Sequence, residues 1–289
     1  MYAVTNLPLT ANYTLDWSKI MAIKLIAIDL DGTLLNANHG LNPATIAAVK
    51  DAKAAGIKVV LCSGRPLTGV KLYLPELGLT EPGDFAISYN GALVQHTDTG
   101  KTVLSESLSY AEYRSIEELA RTIGVHAQVL DDAHLYTANA DISRYTVRES
   151  YLVNMPLFYR HADDFPTDKQ FAKVMLIDEP TVLDAAIKHI PDEFYRDFYI
   201  VKSEPFFLEF MAAKVNKGNA VTALAEYLGY SMDEVMAIGD QGNDLPMIKA
   251  AGTGVAMGNA LPEVKAAAQH VTATNVEDGV AKAIREWAL

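Results

Sequence analysis

The chain is poor in cysteine, in basic charge and in long apolar runs, and each shortage excludes something. Its one cysteine, Cys62, cannot close an internal disulfide. That sets aside disulfide-stapled scaffolds and points to a reducing compartment, the cytoplasm. Lys and Arg number 24 against 36 Asp and Glu, a net charge of −12. Nucleic acids and anionic membranes both call for clustered basic residues, so neither is expected as a partner. No apolar run approaches the roughly 20 residues of a membrane-spanning helix. The first twenty residues lack a charged leader followed by an apolar stretch, so they do not read as a secretion signal. Neither Gly-X-Gly-X-X-Gly nor a Walker loop is present, which removes the familiar nucleotide cradles. Internal repeats and low-complexity linkers are absent as well.

What remains is ordinary globular material: 289 residues, half of them apolar and 21% charged. At roughly 150 residues per domain, that suits one large α/β domain or two ordinary ones. A clean strand pattern opens at Met21, and residues 1–20 are read as an N-terminal extension outside the fold. Ile23 to Ile28 is a short apolar run of the kind found in buried parallel strands. Asn42-Pro43 starts a helix as capping residue and first-turn proline, and Gly56 stops it. Ile57 to Cys62 is a second strand, which completes a βαβ unit. A helix is expected over Leu67 to Leu77, and a third strand over Phe85 to Ser88. From about Ser105 to Phe207, helical patterns alternate with strands rich in aromatic and β-branched residues, the mark of a separate α+β module. The last part returns to α/β, with a helix over Lys217 to Leu228 and a strand over Val235 to Ile238. The middle module therefore reads as an insertion into the first.

Three strands end in polar groups: Asp29 with Asp31, Ser63, and Asp240. Lys217 opens a helix. In an open parallel sheet the carboxyl ends of the strands form the functional edge, so these distant residues occupy positions that can meet there. Taken singly, each has a plain structural use. Asp-X-Asp-Gly is equally a turn, Ser63 a strand-to-helix cap, and Lys217 a solvated surface lysine. Taken together they suggest more. Clustered carboxylates repel one another unless a cation lies between them, and hard oxygen ligands without a His or Cys set point to Mg²⁺ rather than zinc. The Ser63 hydroxyl and nearby N–H groups suit a phosphate oxygen. A lysine at a helix start is disfavoured by the helix dipole unless it faces an anion.

In order along the chain, Asp29-Leu30-Asp31-Gly32-Thr33-Leu34-Leu35, Ser63-Gly64-Arg65, Lys217-Gly218 and Gly239-Asp240-Gln241-Gly242-Asn243-Asp244 resemble the four motifs of the haloacid dehalogenase (HAD) superfamily. The Asn90-Gly91-Ala92 turn, the spacing from Glu209 to Lys217-Gly218, and Gly254-Val255-Ala256-Met257-Gly258-Asn259-Ala260 resemble its Cof-type branch, and within it the YidA-like sugar phosphatases. The resemblance runs from about Met21 to the C-terminus. It implies an α/β fold, a HAD-like (Rossmannoid) doubly wound parallel sheet with a large inserted α+β cap. The catalytic core would comprise residues 21–104 and 208–289, and the cap residues 105–207.

The resemblance also implies roles. Asp29 would be the nucleophile, attacking phosphorus to form an aspartyl-phosphate. Asp31 would protonate the leaving oxygen and then take a proton from the hydrolytic water, a dual role that calls for a pKa raised toward neutrality. Mg²⁺ would be held by Asp29, the backbone carbonyl of Asp31, Asp240 and, in support, Asp244. Ser63, Gly64, Lys217, Asn243 and the Leu30 N–H would cradle the phosphoryl oxygens. The cap would act as a lid, with Tyr136, Arg144 and Glu209 as candidate contacts and Arg65 and Asn90 as orienting or hinge residues. The implied function is a Mg²⁺-dependent phosphatase acting on small phosphorylated metabolites, sugar phosphates first, as a monomer or homodimer. Two other readings share these features: a phosphomutase on the same core, and a non-catalytic, receiver-like Mg²⁺ switch.

Overall fold

A computed structural model describes residues 22–289. The expected extension, residues 1–20, and Met21 lie outside the described residues. The first part of the chain supplies β1 (Leu25–Asp29), β2 (Lys58–Cys62), β3 (Phe85–Ser88), β4 (Leu93–His96) and β5 (Thr102–Ser105). The middle supplies β6 (Leu108–Ser109), β7 (His126–Leu130), β8 (Leu135–Thr137), β9 (Leu157–Tyr159), β10 (Gln170–Phe171), β11 (Lys173–Ile177), β12 (Phe198–Glu204) and β13 (Phe207–Ala212). The end supplies β14 (Val235–Gly239), β15 (Thr253–Ala256) and β16 (His270–Val271).

The central sheet has eight strands in the order β16-β15-β14-β1-β2-β3-β4-β5. From β16 to β3 the neighbours run parallel, and β4 and β5 are antiparallel additions. This is the α/β core expected from the strand runs. β1, Leu-Ile-Ala-Ile-Asp, is buried along its whole length, because helices cover both faces of a parallel sheet and leave no polar side. β1 pairs with β2 on one flank and β14 on the other, with Ile28 opposite Leu61 and Ile238. The strand order reverses at β1, so the crevice beyond the carboxyl ends of β1 and β14 is the topological switch point of the sheet.

The second sheet has six strands in the order β12-β13-β11-β7-β8-β9, antiparallel apart from β8 with β9. It has its own hydrophobic core, separate from that of the central sheet. The helix Tyr110–Ile123 packs into it, started by a capping box between Ser109 and Glu112. β13 belongs to this second sheet through Ala212. The chain thus re-enters the central fold later than position 208, the boundary expected from sequence. Phe207 does not end the module; it opens a strand that continues through Ala212.

Two local expectations are also revised. The helix expected over Leu67 to Leu77 is two short ones, Leu67–Val70 and Leu74–Leu77. Pro75 has no N–H to donate and is tolerated only in a first turn, so a new helix begins at Leu74 with Pro75 in that turn. Asn42 precedes the helix Pro43–Ala54 without capping it. Its side chain instead donates to the Asn275 carbonyl at 3.3 Å and to Asp278 at 2.9 Å, tying this helix start to the C-terminal part of the chain. Among the described residues, no helix is long and apolar enough to cross a membrane.

Candidate active site

β1 and β14 deliver their last residues to the switch point side by side. Asp29 ends β1, and Asp240 follows directly on β14. A tight loop after Asp240 turns Asp244 back beneath the strand end, where its Oδ2 accepts the N–H groups of Asp240 and Gln241, each at 2.9 Å. One oxygen from each of Asp29, Asp240 and Asp244 lies within 4.8 Å of the others. Lys217, the first residue of the helix Lys217–Leu228, projects into this cluster with 1% of its side chain exposed. Its ammonium group donates to Asp29, and to Asp244 Oδ1 at 2.6 Å. A solvated surface lysine is therefore excluded, and the anion that a lysine at this helix end requires is present twice.

Gly32 allows the chain to turn immediately after the paired aspartates. Its φ is +80°, and a Cβ there would fall 2.6 Å from Asp240 Oδ2. On the far side of the turn, Thr33 donates its hydroxyl to Asp240 Oδ1 at 2.8 Å, and Asn259 donates to the Gly32 carbonyl at 2.8 Å. These bonds fix the loop against β14. The same turn sends Asp31 elsewhere. Its carboxylate is 46% exposed, stands outside the aspartate cluster and meets Arg65 at two points, 2.9 and 2.6 Å. Of the four acids expected at the metal, Asp29, Asp240 and Asp244 bring their side chains together, and Asp31, expected there through its backbone carbonyl, keeps its side chain outside the cluster.

Burial first, and the neighbouring Asp244 second, push the Asp29 carboxyl up to about 8 against the pull of Lys217. Burial also raises Asp240. Burial works against the Lys217 ammonium, but Asp29 and Asp244 outweigh it and hold Lys217 charged. Three buried carboxylates thus face one ammonium. The donor set is oxygen only, and no donor among the described residues engages the second oxygen of Asp29. Such a set fits a hard divalent cation. Cys62, paired with Asp29 across β1 and β2, is buried and its thiol is pushed upward by that burial, so it stays inert.

A cleft of about 740 Å³ opens over these groups, and its walls come from both sheets. Asp29, Asp31, Ser63, Gly64, Arg65, Asn90, Asn243 and Glu209 all line it. Ser63 is buried at the end of β2, and its oxygen accepts the Arg65 N–H at 3.1 Å, which leaves its proton free to donate. Asn243 donates to Asn90 at 3.0 Å. Asn90 and Tyr89 both have left-handed backbone conformations, φ 57° and 51°, which is strain concentrated beside the site.

Two expected cap contacts are not in the cleft. Tyr136 is buried in the aromatic core of the cap, edge-on to Phe165 at 5.1 Å between ring centres, with its hydroxyl on Asp131 at 3.2 Å. Arg144 is 71% exposed and pairs with Glu179 at 2.7 Å. An aromatic residue in an inner strand follows its apolar ring into the core, and an arginine at an exposed helix start takes the nearest carboxylate. Sequence reading missed Arg148, Glu149, Lys173 and Ser203, which also line the cleft. One signal was available. Lys173 opens, and Glu209 interrupts, an otherwise apolar run that reads as a buried strand.

A family model described as haloacid dehalogenase-like hydrolase matches residues 26–284. The chain belongs to the haloacid dehalogenase-like hydrolases. Putative phosphatase YxeH of Bacillus subtilis is 49% identical over 266 residues, which covers 92% of this chain and 98% of YxeH. A solved haloacid dehalogenase-like hydrolase from Bacteroides thetaiotaomicron superposes with a TM-score of 0.79 at 34% identity, covering 91% of this chain and 98% of that one. A solved HAD subclass IIB sugar phosphatase superposes with a TM-score of 0.72 at 25% identity, covering 91% and 98%. This member of the haloacid dehalogenase-like hydrolases is an enzyme, a phosphoric monoester hydrolase. The family works with a divalent metal, and the cluster of Asp29, Asp240 and Asp244 is a set able to bind one.

Proposed function

We propose that the enzyme hydrolyses small phosphate monoesters, with sugar phosphates as the leading class, through an aspartyl-phosphate on Asp29 and with Mg²⁺ as its metal. One observation carries the reading: Asp29, Asp240, Asp244 and Lys217, far apart in sequence, converge at the switch point of the sheet beneath a cleft walled by both sheets. Asp29, Asp240 and Asp244 would hold Mg²⁺, with the backbone carbonyl of Asp31. When bound, the ion offsets the repulsion between a carboxylate and an incoming phosphate dianion.

The residues of the chain divide the remaining work. Asp29 presents its unengaged oxygen to phosphorus for in-line attack. The Lys217 ammonium, the Ser63 hydroxyl, the Asn243 amide and the backbone N–H groups of Leu30 and Gly64 take up the charge on the phosphoryl oxygens. Asp31, at the mouth and held by Arg65, gives a proton to the leaving alcohol oxygen and later receives one from water. Lys217 and Asp244 form one unit, in which Asp244 orients the ammonium and Asp29 receives it. The similarity to a sugar phosphatase of known structure supports the substrate class.

The test is phosphate release, with and without Mg²⁺, over sugar phosphates, polyol phosphates and small phosphorylated acids. Turnover of a sugar phosphate that needs Mg²⁺ and no bisphosphate activator is the expected result. Absence of metal-dependent hydrolysis across the whole set would overturn the reading.

A further inference from the structure

Tyr89 belongs to the central sheet by its backbone and to the cap by its side chain. It follows β3 directly, yet it is 1% exposed among the apolar residues that fill the core of the second sheet. Its hydroxyl donates to the Asp131 carbonyl at 3.1 Å, with Met155 Sδ 3.4 Å away, and the Lys173 ammonium lies 5.8 Å from the centre of its ring. All three partners are cap residues. The backbone of the same turn is tied to the phosphoryl side of the cleft. The Tyr89 N–H donates to the Arg65 carbonyl at 3.1 Å and the Asn90 N–H to the Ser63 carbonyl at 3.0 Å, while the Asn90 side chain accepts from Asn243 at 3.0 Å. Gly91 packs so closely on Asn216, the residue before Lys217, that a Cβ would fall 2.5 Å from the Asn216 carbonyl oxygen. Tyr89, Asn90 and Gly91 all have positive φ, 51°, 57° and 108°. Glycine and asparagine accept that region readily. A bulky tyrosine does not, and it stays there only where its surroundings hold it.

We propose that Tyr89 is a positioning residue that couples docking of the cap to the shape of the phosphoryl pocket, acting through Asn90 on Ser63 and Asn243. The side chain is the tie that offsets the strain. With ring and hydroxyl seated in the cap, the turn is held in the form that brings Asn90 to Ser63 and Asn243. Once the tie is cut, the turn relaxes toward ordinary φ, and Asn90 leaves those partners. Undocking the cap has the same effect: a ring left behind meets water, and a ring that follows the cap draws the turn with it. The cap thereby acts on the phosphoryl end of the substrate as well as on the group that leaves. The proposal rests on the phosphatase reading of the Asp29 site and adds to it a residue that touches neither metal nor phosphate.

The experiment uses wild type, Tyr89→Phe and Tyr89→Leu in Mg²⁺, each well below its unfolding temperature. It measures Ki for inorganic phosphate, and kcat and KM for p-nitrophenyl phosphate and for the best sugar phosphate. Inorganic phosphate carries no leaving group, so its Ki reports the phosphoryl pocket alone. Tyr89→Leu loses ring and hydroxyl; it should weaken phosphate at least ~10-fold and lower kcat on both esters roughly 10- to 100-fold, as for a group displaced by about 1 Å. Tyr89→Phe keeps the ring and loses one hydrogen bond, so its Ki should rise about 3- to 10-fold. A merely structural role lowers the unfolding temperature and leaves Ki and kcat at wild-type values, and that result overturns the proposal. So does an effect confined to KM for the sugar phosphate, which places the influence of Tyr89 on the leaving-group side only. If Tyr89→Leu does not fold, Tyr89→Phe decides, and wild-type Ki and kcat in it overturn the proposal. If wild type releases phosphate from neither ester, the phosphatase reading itself falls, and this proposal with it.

Discussion

Arg65 holds Asp31 by a two-point fork, its Nε donating to Oδ2 at 2.9 Å and its Nη2 to Oδ1 at 2.6 Å. If Asp31 is the acid and base proposed above, the fork fixes which face of its carboxylate looks into the cleft and Arg65 is a positioning residue for proton transfer. Arg65→Lys keeps the charge and loses the fork. Its turnover should fall about tenfold on sugar phosphates, whose alcohol needs a proton to leave, and much less on p-nitrophenyl phosphate, whose phenolate leaves without one. Equal losses on both esters would show that Arg65 acts on something other than Asp31.

Asp29→Asn should lower turnover by more than ~10³-fold while the fold persists. The same change should alter how the metal-free protein responds to pH. The folded Asp29 carboxyl, pushed up to about 8, keeps a proton that the unfolded chain, at its ordinary value near ~3.9, has already released. Over that interval the folded state binds more protons, so metal-free stability declines as pH rises from about 4 to about 8. Thermal unfolding in EDTA across this range should show the decline in wild type and a flatter profile in Asp29→Asn.

Metal binding should carry the opposite dependence. A divalent cation favours the carboxylate, so binding at pH 6.5 must expel the Asp29 proton. Mg²⁺ affinity should rise as pH approaches 8 and level off above it. EDTA should stop phosphate release, and added Mg²⁺ should restore it. Calorimetry in buffers of different ionisation enthalpy measures the released proton directly, and a value of zero at pH 6.5 would contradict the assigned protonation.

Lys217→Met removes the ammonium but keeps an apolar stem of similar length. Asp29 and Asp244 would then be buried without their cation, a change that typically costs about 3–5 kcal/mol. The rate should drop by at least ~10²-fold, as for the loss of one preorganised donor. Denaturant unfolding with EDTA and turnover with Mg²⁺ test the two halves separately. Wild-type values in both would remove Lys217 from the site.

The cap offers an independent test. Asp131 is buried, and its carboxylate accepts from Lys169 at 2.6 Å and from the backbone N–H groups of Ala133 and His134 at 2.9 and 2.7 Å. Burial opposes its ionisation, but these donors outweigh burial and hold it below its ordinary range. Its stabilisation is therefore present above the unfolded pKa and is lost as pH falls through the lower folded value. Asp131→Asn should cost roughly 1.5–3 kcal/mol near neutrality. The gap between variant and wild type in urea unfolding should close as the solution is acidified below about pH 4.

The chain itself carried the alternation of apolar runs, the strand ends at Asp29, Ser63 and Asp240, the helix start at Lys217, and the presence of a second α+β module. These follow from local rules of periodicity, turn chemistry and sheet handedness, which act over a few residues and leave a written trace. The opposed faces of the cleft left almost none. Glu149 is the one acidic residue of its short helix, and only packing that helix over the carboxyl edge of another sheet makes it a wall of the site. Tyr136 and Arg144 were no less plausible by sequence and went into the core and out to Glu179. Direction within a cap is decided by which sheet face meets the central fold. That depends on the summed burial of some thirty apolar side chains rather than on any short pattern. The neighbours of Asp29 could be written from the order of motifs; the opposite wall of the cleft had to await the assembled molecule.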